Sequence, residues 1–403
     1  MPPSLDRAKV IAAGVFSLIL TVGIARFAYT PLLPTMIEDA GLSHFWGGWL
    51  ATINYVGYLG GALLSMSIKD LAVKDRLYRL GLIMAIATTA AMGLTDNIWL
   101  WAILRFLSGL SSAAGMLLAS GLVMHWLMRH GYRAELGVHF AGLGLGIALA
   151  AITVWGMEQM LPWDTQWLIL AAIGLALLIP AWGWLPSPKH TAATAKTQPH
   201  SATQLSPFFM RMFLAAYFFA GIGYVITATF IVAIVEDLPG LKGQGPLAFL
   251  ILGLAAAPAG ALWDLSARRF GYVPTLILAM FLQVPAIIMP ILIPGLVSVL
   301  LSTMLFGATF MGVVSLVLTM GGLLYPAQPA KLMGKMTLSY GTAQILAPAL
   351  AAQLAAISGN YNASLYLPAA SVALGGVLLV ILQIKNPISL GHSTADKEPV
   401  RTG

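Results

Sequence analysis

The stretch PSPKHTAATAKTQPHSATQLSP, residues 186–207, is the one long polar run inside the chain, and its position decides how the rest is divided. Rich in Pro, Ser, Thr and Ala and without apolar periodicity, it reads as a flexible linker. Six long apolar stretches precede it, at 9–36, 45–68, 77–95, 98–127, 134–157 and 165–185. Six follow, at 207–235, 246–264, 272–293, 295–323, 330–357 and 362–384. Each has about the 20 residues a helix needs to cross a bilayer. The expected organisation is a six-helix bundle over 1–185, a linker over 186–206, a second bundle over 207–390 and a short tail over 391–403.

Composition agrees with a membrane protein. Of 403 residues 59% are hydrophobic and 9% charged, against about 25% charged in an average soluble domain. The apolar runs are continuous, which excludes a β-barrel built from alternating segments of about 10 residues.

The charges orient the spans, because cytoplasmic loops collect Lys and Arg. With the N-terminus inside, the inner segments hold 18 of the 21 Lys and Arg, from Arg7 and Lys9 through Lys69, Lys74, Arg76 and Arg79 to Lys385, Lys397 and Arg401. The outer loops hold Lys242 and the acids Glu38, Asp39, Asp96, Glu158, Asp164, Glu236 and Asp237. Both termini are therefore expected to be cytoplasmic. The net charge of +7 is an orientation signal and not a nucleic-acid footprint. MPPSLDRAKV lacks a cleavage site after a short apolar core, so the first span is expected to stay. Without cysteine, thiolate chemistry and disulfides are excluded. Compactness and short loops point to the inner membrane of a bacterium.

The two halves repeat. A shift of 199 residues places GALLS (61–65) on GALWD (260–264), and a shift of 198 places Gly23, Arg26 and Tyr29 on Gly221, Tyr224 and Thr227. Two arginines, Arg26 and Arg105, lie inside spans, where each costs about 2.5 to 3.5 kcal/mol on an insertion scale. At about 1.5 Å per residue, Arg26 is about 25 Å from Lys9 and about 18 Å from Glu38, and Arg105 is about 13 Å below Asp96. No Asp or Glu lies away from a span end. Counter-charge must come from backbone carbonyls, helix ends, water or a bound anion.

GALWDLSARRFG (260–271) resembles the loop signature of the major facilitator superfamily, G-x-L-x-D followed by a basic pair and Gly. The first half reads GALLSMSIKDLAVKDRLYR (61–79), with Ser65 in place of the acid. RFLSGLSSA (105–113) resembles the fourth-helix motif of that superfamily, and RFAYTPLLP, NYVGYLGGAL (54–63) and HFAGLGLGIAL (139–149) resemble its bacterial YbfB/YjiJ-type subfamily. The resemblance implies an all-α membrane protein, twelve transmembrane helices in two pseudo-symmetric six-helix bundles, with a pathway lined by the first helix of each half. It also implies that Arg105 is a buried residue tied to coupling or gating, and that Asp264, Arg268 and Arg269 form an inner gate.

Arg26 is expected to bind an anionic group by paired hydrogen bonds, the alternative being an arginine bonded to carbonyls freed near Pro31 and Pro34. Tyr29 and Thr30 share its face. Span seven offers Tyr217, Tyr224 and Thr227, span two Asn54 and Tyr58, and span eleven Tyr340 and Gln344. His125 and His139 are read as structural, and Glu38, Asp39, Glu236 and Asp237 as topology-setting charges. Gly142, Gly144, Gly146 and Ala150 form a helix-packing surface, with Gly341, Ala347, Pro348 and Ala351 of span eleven as its partner.

The expected function is a secondary transporter that moves a small, carboxylate-bearing organic anion by alternating access, as a monomer in the lipid bilayer and without metal or cofactor. A proton-coupled exporter of drugs, siderophores or other metabolites is the alternative, and a transporter-shaped receptor a further one. No H-E-x-x-H or G-x-S-x-G motif supports an enzyme.

Overall fold

The computed structural model describes residues 3–132, 137–158, 160–188, 206–324 and 329–386. Most of the expected linker and all of the expected tail, with Arg133, Lys189, Lys196, Lys397 and Arg401, lie outside the described residues.

Among the described residues the regular elements are helices. The first half contains α1 (Asp6–Asp39), α2 (His44–Ser67), α3 (Leu71–Met92), α4 (Ile98–Arg129), α5 (Gly137–Met157) and α6 (Trp163–Gly183). The second contains α7 (Pro207–Glu236), α8 (Gly245–Phe270), α9 (Tyr272–Leu292), α10 (Leu296–Leu324), α11 (Pro329–Ser358) and α12 (Tyr366–Lys385). Ten of these are long and apolar enough to cross a membrane. The other two, α2 and α3, are 24 and 22 residues long. Glycines, tyrosines and Asn54 dilute the hydropathy of α2, and Lys74, Asp75, Arg76 and Arg79 that of α3.

Local signals set the helix ends. Ser43, Asp70, Asn97 and Ser206 each accept a first-turn amide with a side-chain oxygen, satisfying donors that have no partner within the helix. The Asp70 cap starts α3 at Leu71, six residues before the apolar stretch at 77, so its first two turns are charged. Gly271, at φ 91°, is the whole connection between α8 and α9, a backbone angle that favours glycine.

Two helices depart from α geometry. α1 is π-helical over Ile19–Phe27 and α4 over Ala114–Ala119. A π stretch shifts the backbone bonding by one residue, and carbonyls of the α1 stretch accept from α4. Ser112 Oγ donates to Thr21 O at 2.9 Å and Ser108 Oγ to Ala25 O at 2.6 Å.

Small residues let the helices meet, as expected where packing rather than water drives association. A Cβ on Gly23 of α1 would lie 2.4 Å from the Gly146 backbone of α5, and one on Gly144 of α5 would lie 2.4 Å from the Ala257 backbone of α8. The small face of α5 therefore packs on α1 and α8, not on α11. This corrects the partner expected from sequence: both helices carry small residues, but α11 is taken up by α2 and α7, where Gly48 meets Ala352 and Gly221 meets Ala343. Gly23 of α1 against α5 and Gly221 of α7 against α11 make contacts that match across the 198-residue repeat.

Candidate functional site

Arg26 lies within the π-helical part of α1, 6% exposed. Its guanidinium carbon rests over the rings of Tyr55 and Tyr58 at 4.3 and 4.6 Å, and over Phe27 at 5.5 Å. A desolvated cation–π contact is worth about 2 kcal/mol, so two of them offset the insertion cost of about 2.5 to 3.5 kcal/mol. They leave part of its hydrogen-bonding capacity unused: Nε and Nη2 are buried without a partner. No ion pair among the described residues involves Arg26.

Arg105 of α4, 3% exposed, is a different case. Nη1 donates to the carbonyls of Ala25 and Arg26 at 3.3 and 3.4 Å, Nη2 to that of Arg26 at 3.4 Å, and the guanidinium lies 4.4 Å from the Tyr29 ring centre. The carbonyl-bonded arginine allowed as an alternative for Arg26 is thus Arg105.

Other sequence-predicted residues divide in the same way. Tyr29 donates its hydroxyl to Gly47 O at 2.8 Å and packs α1 on α2. Asn54 Nδ2 donates to Arg105 O at 2.8 Å and to Ser108 Oγ at 3.3 Å, which packs α2 on α4. Thr30 donates to Ala228 O at 3.3 Å across the two halves. Tyr58 lies against Arg26. From the second half, Tyr224 stacks on Phe310 at 5.1 Å and on Tyr340 at 5.7 Å, and Tyr340 stacks on Tyr217 at 4.5 Å. Thr227 Oγ1 and Gln344 Oε1 are buried without a partner. Tyr55 was not singled out from sequence. Its hydroxyl lies 3.1 Å from Thr229 Oγ1, joining α2 to α7, and the only local signal is its place three residues before Tyr58 in NYVGYLGGAL.

The proposed gate residues contact their own half. Arg268 Nη2 is 2.7 Å from Asp264 Oδ2, the Tyr272 hydroxyl donates to Asp264 Oδ1 at 3.1 Å, and Arg269 lies over Phe270 at 5.4 Å. In the first half, where Ser65 donates to Gly61 O at 2.7 Å, a charge network sits elsewhere. Arg79 bonds Asp75 at 3.1 Å and the carbonyls of Trp182 and Leu185, tying α3 to α6. The signal was KDRLYR, with acid and base four residues apart.

At the end expected to face outward, Glu38 pairs with Lys242 at 3.2 Å, and Glu236 accepts from the Gly243 and Gly245 amides at 2.6 and 2.7 Å, capping α8. The Tyr361 hydroxyl donates to His44 O at 2.6 Å, and its ring stacks on Phe230 at 4.2 Å. Burial, and then the charges of Glu236 and Glu38, push the Glu158 carboxyl above its ordinary range. Asp237 is raised by burial, opposed by His44 and a backbone bond with Tyr361.

His139 is fully buried, with Nε2 2.8 Å from Ser120 Oγ. Its ring fills the space where a Cβ on Gly14 would sit, in keeping with a structural role.

The profile of a family described as "Uncharacterised MFS-type transporter YbfB" matches residues 18–380. An "Uncharacterized MFS-type transporter YceJ" of Bacillus subtilis is 24% identical over 275 residues, 66% of this chain and 69% of that protein. The niacin transporter NiaP of Acinetobacter baylyi is 27% identical over 163 residues, 40% of this chain and only 36% of that protein. A mutant of the nucleoside transporter NupG superposes with a TM-score of 0.73 at 13% identity, covering 93% of this chain and 99% of that one. NupG itself gives 0.69 at 14% identity, covering 95% and 99%. At such identity the two structures speak to the fold alone. Ten apolar helices among the described residues and a family match over most of the chain lead to one assignment: this is an integral membrane protein belonging to the YbfB-type family of major facilitator superfamily transporters, a transporter rather than an enzyme.

Proposed function

We propose that the protein is a secondary transporter for a small, carboxylate-bearing organic anion, with Arg26 as the group that binds the charge. The observation that carries this reading is the guanidinium itself. It is buried, rests on tyrosine faces, and keeps Nε and Nη2 unsatisfied with no carboxylate paired to it among the described residues. A planar fork of N–H donors matches a carboxylate in paired hydrogen bonds. Thr227 and Gln344 supply further unpartnered polar atoms. The partial likeness to a niacin transporter supports the same class, since niacin is a small carboxylic acid.

In this reading α2 and α3 complete twelve spans, because 24 and 22 residues reach about 36 and 33 Å. Residues 1–185 and 207–390 are the two bundles, joined by 186–206, with both termini cytoplasmic in a bacterial inner membrane. The carrier acts as a monomer. The halves rock about the central site, parting at Thr30–Ala228 and Tyr55–Thr229 on one side. An anion that neutralises Arg26 lowers the cost of closing an apolar barrier over it, so the loaded carrier reorients. The middle of the spans offers no acid to carry a proton, which favours anion exchange or uniport. Proton-coupled export is the alternative, and the observation on its side is Glu158, held toward its protonated form.

Equilibrium binding of benzoate to the purified protein tests the role of Arg26. Arg26→Ala is expected to abolish binding with the fold retained, and Arg26→Lys to restore part of it, because the paired geometry is lost. Unchanged affinity in a folded Arg26→Ala protein would remove Arg26 from the site.

A further inference from the structure

We infer that the solute is a flat aromatic or heteroaromatic carboxylate, held edge-on by Arg26 and face-on by tyrosine and phenylalanine rings. This deepens the anion reading and rests on it. The guanidinium carbon sits over two ring faces, Tyr55 at 4.3 Å and Tyr58 at 4.6 Å. Its Nε and Nη2 are buried without a partner, and these two N–H groups form the edge with which a carboxylate pairs. A carboxylate paired to that edge lies in the guanidinium plane, and a conjugated substituent continues in it.

The second half presents the matching surface. Tyr217, Tyr340, Tyr224, Phe310 and Phe306 form a column of near-parallel rings, with interplanar angles of 27°, 26°, 28° and 24° in that order. Its middle member, Tyr224, stands within electrostatic reach of Arg26. Column and arginine thus come from opposite halves into one neighbourhood, and a ligand paired with Arg26 lies beside the rings. Such walls select by shape and by the ring quadrupole, since offset stacking adds to the area buried. They are poor in hydrogen-bonding groups: among the described candidate residues, beyond tyrosine hydroxyls and the two arginines, Thr227 Oγ1, Gln344 Oε1 and Asn54 Oδ1 are unpartnered. A sugar acid would leave its hydroxyls unpaired in this setting, whereas one ring substituent could be met. A flexible aliphatic acid satisfies Arg26 but makes no stack.

Isothermal titration of the purified full chain with benzoate, 2-naphthoate, cyclohexanecarboxylate and benzamide tests the inference. Benzoate and 2-naphthoate are expected to bind at least about tenfold more tightly than cyclohexanecarboxylate, and benzamide not to bind. Tyr224→Leu and Tyr340→Leu should bring benzoate and cyclohexanecarboxylate to equal affinity, while Tyr224→Phe keeps the preference. Equal binding of benzoate and cyclohexanecarboxylate to the unaltered protein would overturn the aromatic class and leave the anion site standing. Benzamide binding as well as benzoate would overturn the anion site itself, and no binding by any of the three acids would overturn both.

Discussion

Arg26 and Arg105 carry the same group into the same membrane and find different partners. Arg105 meets carbonyls of Ala25 and Arg26 in the π-helical part of α1, so its charge is spent on holding α4 against α1. Arg105→Ala would leave the Arg26 carbonyl short of a donor at about 1 to 3 kcal/mol, while Ala25 O keeps its bond from Ser108. The expected outcome is a clear fall in melting temperature in detergent, with only part recovered by Arg105→Lys. An unchanged melting temperature would make Arg105 dispensable to the fold. Glu158 supplies a pH test. Its folded pKa is raised above the ordinary 4.5, so the folded protein binds the proton more tightly than the unfolded chain. Stability from this group is full below about 4.5, falls as pH rises toward the folded pKa, and stays reduced above it. Glu158→Gln should therefore raise the melting temperature at pH 7 and give no gain at pH 4. A gain of equal size at both would assign the effect to something other than titration.

At the level of helices, close backbone approach decides the packing. Gly146→Leu would drive a side chain into the Gly23 and Ile19 backbone of α1, and is expected to lower folded yield sharply, read by monodisperse recovery from detergent. Gly60→Leu, on a face with open space, is the control expected to fold normally. Ten of the spans were legible in sequence because hydropathy is local, and the α5 stripe was legible as a packing face because glycine spacing is local too. Its partners were not, since which small face meets which is settled by the whole bundle: Gly144 reaches α8, across the halves. The π-helical stretches left no mark in hydropathy. Arg26 is singled out in sequence by charge and depth, Tyr224 by the 198-residue repeat, and Tyr58 and Tyr340 by their four-residue spacing to Asn54 and Gln344, whereas Tyr55 is not, its partner Thr229 being 174 residues away.

For the molecule as a whole, sidedness and solute movement can each be read directly. The chain has no cysteine, so single substitutions report sidedness without background. Lys242→Cys is expected to react with a membrane-impermeant maleimide in intact cells, and Lys74→Cys only after permeabilisation. The reverse pattern would invert the topology read from the Lys and Arg distribution. The central claim is that a buried, unpaired Arg26 makes this carrier depend on the negative charge of its solute. Its most direct test is counterflow of labelled benzoate into proteoliposomes preloaded with unlabelled benzoate. The unaltered protein should accumulate label transiently, and folded Arg26→Ala protein should give no more than empty liposomes. Equal accumulation by the two would contradict the claim.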